Sequence, residues 1–96
     1  MDASRPEVTH NAASQRFESK VDGLLCRCDY RMHGSTMMLV HTEVPPQLEG
    51  RGIASVLVQA AFDHAKQNGM DVLPLCSYVR TWVQRHPEFN SMVASQ

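Results

Sequence analysis

Gly50 and Gly52 stand two apart in the segment Pro45-Pro46-Gln47-Leu48-Glu49-Gly50-Arg51-Gly52. An apolar stretch ends at Val44 just before it, and an amphipathic stretch follows at once. A loop that passes from a strand into a helix presents backbone N–H groups with no intrahelical partner. The helix dipole adds partial positive charge at the same point. Glycines let the backbone approach an anion closely, in conformations that a side chain forbids. Together these make an anion site suited to a pyrophosphate. The spacing is not G-x-G-x-x-G and there is no G-K-[ST], which excludes two other phosphate loops. The plain alternative is that both glycines only permit a tight entry into the helix.

A second group of reactive side chains invites a metal reading. Cys26 and Cys28 lie two apart with His33 close behind. Cysteines so spaced on a strand point the same way, but a closed zinc site usually takes four ligands. No convincing fourth ligand follows, and both thiols fall on the apolar face of their segment, so no metal is expected. His64 lies on the apolar stripe of a helix and reads as a core or edge histidine.

The elements that position these groups follow from periodicity. Residues 1–14 are polar and aperiodic and are expected to form a flexible arm. The single domain is expected to cover residues 15–96. Residues 15–19 suit a first strand with Phe17 inward, and Lys20-Val21-Asp22-Gly23 a hairpin turn. Over residues 24–32, Leu24, Cys26, Cys28, Tyr30 and Met32 alternate with polar residues, the pattern of a half-buried antiparallel strand. Residues 36–44 are apolar on both faces, which predicts a central strand covered on both sides. Pro45 and Pro46 stop it. Ile53, Val56, Leu57, Ala60, Ala61, His64 and Ala65 then form a helical stripe. Asn68-Gly69 closes that helix. Residues 71–76 read as a short strand, and Ser77 as the cap of a last helix carrying Val79, Trp82 and Val83. Pro87 lies beyond its end, with Phe89, Met92 and Val93 as docking residues of the tail. The predicted fold class is α/β (α+β): a mixed, mainly antiparallel sheet, one long helix after the glycine loop and a short C-terminal helix.

The pattern Q-x-x-G-x-G at Gln47, Gly50 and Gly52 resembles the coenzyme A motif of GCN5-related N-acetyltransferases. Three further segments resemble a minimal subfamily of about this length: His41-Thr42-Glu43-Val44, Pro74-Leu75-Cys76 and Arg85-His86-Pro87-Glu88-Phe89. The resemblance implies a compact acetyltransferase fold with acetyl-coenzyme A as co-substrate. It implies that the backbone around Thr42, Glu43 and Val44 runs beside pantetheine, with Gln47 opening the loop. It implies that the amides of Gly50, Arg51, Gly52, Ile53 and Ala54 face the pyrophosphate. The Arg51 side chain either adds a charge-assisted contact or points to solvent. Full-sized members insert two helices between their first two strands, where this chain has only the turn at residues 20–23. Those helices wall the acceptor site, so the acceptor, an amine or a protein, is unidentified. The implied activity is acetyl transfer, and the rival is a non-catalytic module that binds or senses acyl-coenzyme A.

In the resembled fold the strand before Cys76 diverges from the one ending at Val44, and the acyl group lies between them. Cys76 would then face the thioester. A cysteine attacks only as thiolate, so it needs a lowered pKa or a nearby base. A helix starting at Ser77 favours the thiolate, and His41 or His86 is the candidate base. The alternatives are that Cys76 walls the slot or packs in the core. Glu43 is the second actor, since a carboxylate can take the proton of an ammonium, often through water. Its alternative is a solvated edge residue. Tyr78 is placed as an acid toward the leaving thiolate, or as a packing residue.

Composition bounds the partners. The chain has 96 residues, 43% hydrophobic and 20% charged, with nine Lys and Arg against ten Asp and Glu. A net charge of −1 gives no basic footprint for nucleic acid and no polybasic membrane patch. No apolar run approaches the ~18 residues that span a bilayer. The polar start predicts no secretory signal, and the odd cysteine count reads as reduced thiols, so the expected location is cytoplasmic.

Overall fold

Phe17, Cys26, Cys28, Tyr30, Met37 and Leu39 are buried on one face of a five-stranded sheet. The structure is a computed structural model and describes residues 6–94. The strands are β1 (Thr9–Asn11), β2 (Arg16–Val21), β3 (Leu24–His33), β4 (Thr36–Glu43) and β5 (Asp71–Pro74), side by side in that order. The first four pair antiparallel, and β5 joins β4 in parallel. Only that parallel pair needs a crossover, and α1 (Ile53–Gln67) supplies it. The last helix is α2 (Ser77–Gln84). The mixed, mainly antiparallel fold read from the sequence is the one observed.

Local chemistry explains the hairpins. Asp22 and Gly23 have φ of 52° and 77°, the left-handed pair that a two-residue turn between twisted strands requires. Lys20 and Val21 therefore stay in β2, two residues beyond the predicted strand end at residue 19. The alternation predicted for β3 holds, with Cys26, Cys28 and Tyr30 all inward.

The prediction that β4 is covered on both faces does not hold. Met37 and Leu39 are buried, whereas Met38 and Val40 are only half-buried. Among the described residues, no strand residue of that outer face is buried. Both helices serve the other face: the rings of Phe62 on α1 and Trp82 on α2 stack at 5.1 Å.

The helical stripe is rotated from the predicted one. Ile53, Leu57, Val58, Ala61, Phe62 and Ala65 are buried, so Val58 and Phe62 join it, while Val56, Ala60 and His64 lie at its margin. The rotation brings Phe62 onto Trp82 of the second helix, a contact that the periodicity of one segment does not encode. Gly69 closes α1 with φ of 67°.

Both termini add to the sheet. Thr9–Asn11, inside the segment read as an arm, form β1 against β2. Backbone pairing at an edge needs no apolar pattern, so no local periodicity marks it. The imidazole of His10 stacks on Phe17 at 4.4 Å, and its Nε2 lies 2.6 Å from the Tyr30 hydroxyl. Residues 1–5 of that arm lie outside the described residues. At the other end Pro87–Met92 form a 3₁₀ turn that buries Phe89 against Phe62 and Trp82. Val93 then bridges Val72, and the Ala94 amide donates to the Val72 carbonyl at 2.7 Å.

Candidate functional site

β4 and β5 pair over only four residues each, ending with Leu39 opposite Pro74. Pro74 has no N–H, and the next two amides, Leu75 and Cys76, both donate to the Leu39 carbonyl at 3.1 Å. At the same level β4 is irregular against β3. Asp29 pairs with His41 and Tyr30 with Leu39, which leaves Val40 without a partner. Such a bulge re-aims the side chains that follow it. Thr42 returns to the inner side opposite Cys28, while His41 and Glu43 face outward beside Asp29 and Arg27.

Beyond this point a cavity of about 430 Å³ opens between the end of β4 and the start of α1. Its strand wall is Thr42, Glu43 and Val44, and its helix wall is Gly50, Gly52, Ile53 and Ala54. Leu48, Glu49 and Tyr78 complete the lining. Gly50 and Gly52 have φ of 88° and 79°, so the turn into α1 is left-handed at both glycines. A Cβ at either would meet no protein atom within 4 Å. The demand for glycine is therefore conformational within the protein, and the space in front of both is open. Among the described residues no side chain caps the first turn of α1, and no acidic residue lies in that turn. Its leading N–H groups thus open onto the cavity with the positive end of the helix dipole behind them.

Of the eight residues assigned to cofactor binding, Thr42, Val44, Gly50, Gly52, Ile53 and Ala54 are brought together here. The other two, Gln47 and Arg51, do not line the cavity. Gln47 is exposed on the 3₁₀ turn Pro46–Leu48. Arg51 reaches across to Asp22 in the β2–β3 turn at 3.2 Å, a half-exposed ion pair. Leu48, which follows Gln47 in the loop, carries no expectation from the sequence reading. It is 1% exposed and anchors the loop from below. An apolar residue flanked by polar ones within a glycine loop was the available signal.

Cys76 is the cap residue of α2, one position earlier than the predicted cap at Ser77. The thiol is half-buried, and its S–H donates to the Thr42 hydroxyl at 3.7 Å. Burial pushes this thiol up. The backbone N–H of Val79, the Thr42 hydroxyl and the N–H of Tyr78 outweigh it, so the group sits below its ordinary range. Neither candidate base reaches it. His41 is bonded to Glu43 at 3.0 Å, and His86 Nδ1 lies 2.8 Å from the Trp82 carbonyl with its ring stacked on the indole. Among the described residues, Thr42 is the one side chain hydrogen-bonded to Cys76.

Glu43 belongs to a charged ladder on the outer face. One carboxylate oxygen accepts from His41 at 3.0 Å and from Arg27 at 2.9 Å, and Arg27 also pairs with Asp29. The His41 contact and then the Arg27 charge hold the Glu43 carboxyl below its ordinary value. Burial raises the Tyr78 phenol, against the lowering pull of Ser55 and Arg85. Cys26 and Cys28 are fully buried, and burial pushes Cys28 up to about 12. No group of three or more His, Cys, Asp or Glu among the described residues is arranged to hold a metal. No helix among them is long and apolar enough to cross a membrane.

Comparison with known proteins gives the family and the fold. The family described as "GCN5-related N-acetyl-transferase" matches residues 16–92. The protein NATD1 of Xenopus tropicalis is 32% identical over 88 residues, covering 88% of this chain and 81% of that protein. Human NATD1 is 31% identical over 83 residues, covering 83% and 74%. A GCN5-like protein from Staphylococcus aureus, solved by NMR, superposes with a TM-score of 0.75 at 21% identity, over 97% of this chain and 92% of that one. At that identity the superposition shows a shared fold.

Proposed function

Because this chain belongs to the GCN5-related N-acetyltransferase family, we propose that it binds acetyl-coenzyme A in the cavity before α1 and transfers the acetyl group to an amine or protein acceptor. The observation that carries this is the shared lining of that cavity. One wall is the end of β4 at Thr42, Glu43 and Val44, and the other is the glycine turn and first residues of α1. The free backbone of β4 suits the pantetheine amides. The N–H groups of Gly52, Ile53 and Ala54 suit the pyrophosphate. Arg51 is left to Asp22 and solvent in this reading. The three free cysteines fit a reducing compartment, the cytoplasm.

Cys76 is the nucleophile of the leading mechanism. Its thiolate attacks the acetyl carbon, the bond to the coenzyme A sulfur breaks, and the departing thiolate takes a proton from solvent or from Tyr78 on the cavity wall. An acceptor amine then attacks the acetyl-cysteine carbonyl, the bond to the Cys76 sulfur breaks, and Cys76 leaves as the thiolate that began the cycle. His41 and Glu43 take the acceptor's proton. One observation favours the rival, a binding or sensing module: among the described residues, no imidazole or carboxylate is hydrogen-bonded to Cys76.

Thermal melting with acetyl-coenzyme A tests the binding claim. A ligand specific for the folded state, at 100 times its dissociation constant, adds roughly 2.7 kcal/mol. In a domain of this size that is on the order of 10 °C or more in Tm. Adenosine alone should give much less. No shift at millimolar acetyl-coenzyme A would refute the reading.

A further inference from the structure

Thr42 occupies an unusual place between two sulfurs. Its hydroxyl accepts from Cys76 Sγ at 3.7 Å and donates to Cys28 Sγ at 3.9 Å. The three residues come from three elements: Cys28 from β3, Thr42 from β4 and Cys76 from the start of α2. Cys28 is fully buried and stays a thiol, while Cys76 is half-buried beside the cavity whose wall includes Thr42. A threonine hydroxyl has one hydrogen and two lone pairs, so it can face either sulfur as donor.

We propose that Thr42 is a positioning residue for Cys76: its hydroxyl turns from Cys28 to Cys76 when the Cys76 thiol ionises, and so aims and stabilises the thiolate toward the cavity. In the thiol state the Cys76 S–H donates to Thr42, and Thr42 donates to Cys28. When Cys76 loses its proton to solvent, the Thr42 O–H rotates and donates to the Cys76 thiolate. The Cys28 S–H then turns to the freed lone pair of Thr42. No proton passes to Cys28, and only two X–H bonds rotate. A hydrogen bond to a charged acceptor is about twice as strong as a neutral one. The reversal therefore favours the ionised form of Cys76 over the neutral one. The proposal deepens the reading of Cys76 as nucleophile and rests on it for its catalytic meaning. The geometry itself does not.

The test is the pH profile of alkylation of the full chain by iodoacetamide, without coenzyme A, followed by mass at Cys76. Cys26 and Cys28 are 0% exposed and serve as internal references for the folded state. Thr42→Val keeps the shape and removes the hydroxyl. It should move the midpoint of the Cys76 profile upward and slow alkylation at pH 7 by about tenfold, the effect of one pKa unit. Thr42→Ser, which restores a hydroxyl, should return the midpoint toward wild type. Cys28→Ala should move it less than Thr42→Val does. An unmoved midpoint in folded Thr42→Val would overturn the proposal. So would a Cys28→Ala shift as large as that of Thr42→Val. Acetyl transfer is scored separately on the same proteins. The predicted midpoint shifts without any wild-type transfer would keep the role of Thr42 and sink the function. Transfer through Cys76 with no midpoint shift would do the reverse.

Discussion

The carbonyl of Leu39 accepts the amide of Cys76 at 3.1 Å, and this bond sets where the Cys76 thiol can be. Leu39 is the last β4 residue to pair with β5, and Val40 bulges directly after it. Cys76 is thereby tied by its backbone to the end of the parallel ladder and by its thiol to Thr42 beyond the bulge. The glycine turn stands at the far end of the same short stretch of β4.

Gly52 caps α1 with φ of 79° and open space where a Cβ would stand. Replacement by alanine is strained by conformation alone, at roughly 1–2 kcal/mol. A β-branched residue fits that region worse. Gly52→Ala should therefore lower the urea midpoint, and Gly52→Val should lower it further. Calorimetry on the folded fraction of Gly52→Val should show coenzyme A binding lost, because its side chain enters the space before the helix amides. Unchanged affinity would mean that the ligand is held elsewhere.

The loop was legible in the sequence because backbone chemistry leaves composition signals. Glycines at fixed spacing, prolines that end a strand and an amphipathic run place Gly50 and Gly52 at a helix entry without any tertiary information, and the family resemblance adds the expectation that Ile53 and Ala54 face the pyrophosphate. Strand period and the Pro45 stop mark only the strand end that carries Thr42 and Val44; their place beside pantetheine is what the family resemblance implies. Arg51 was ambiguous for a physical reason: a long side chain chooses its partner in space, and Asp22 lies some thirty residues away in the chain. The contact between Thr42 and Cys76 was hidden in the same way, since it joins residues 34 apart. β1 and the half-open outer face of β4 depend on what packs nearby, which no local pattern encodes.

Phe62 joins α1 to α2 and to the tail, with ring centroids 5.1 Å from both Trp82 and Phe89. It is fully buried. Truncation to alanine should cost about 3–5 kcal/mol, a large part of the stability of a small domain. Circular dichroism of Phe62→Ala should show a mostly unfolded chain at 37 °C. Ser55→Ala, which removes only the acceptor of the Trp82 indole N–H at 2.9 Å, should cost about 1 kcal/mol. Equal effects of the two substitutions would contradict a core centred on Phe62.

His10 should make stability depend on pH. Burial and then the neighbouring His64 lower its pKa from an ordinary 6.5. The folded state therefore binds fewer protons than the unfolded one as pH falls. The contribution is complete above about pH 6.5 and is lost as pH drops through the folded value. The outer side of His10 is exposed, so the effect is modest. The lowered carboxyls of Glu18 and Glu43 start from 4.5 and act only at more acid pH. Urea midpoints should fall between pH 7.5 and 5.5, and His10→Gln should flatten that slope. A slope unchanged in the variant would assign the loss to another group.

Cys76 and Glu43 make opposite claims on the chemistry, and substitution separates them. Exchange of an acetyl group between two thiols is nearly balanced, so acetyl-Cys76 should accumulate when acceptor is absent. Wild-type protein incubated with acetyl-coenzyme A should gain the mass of one acetyl group and lose it in hydroxylamine. Cys76→Ala should bind coenzyme A, form no adduct and lose about a hundredfold or more in transfer rate. Glu43 is exposed and held low by His41 and Arg27, which weakens it as a base. Glu43→Gln should therefore cost no more than about tenfold. It should also leave the acetyl adduct intact, because the first step does not use it. His41→Gln, which removes the imidazole bonded to Glu43, should match Glu43→Gln if the two act as one proton acceptor. Wild-type transfer by Cys76→Ala would exclude the covalent route. The outer-face pair of His41 and Glu43 would then be the centre of a direct transfer from coenzyme A to the amine.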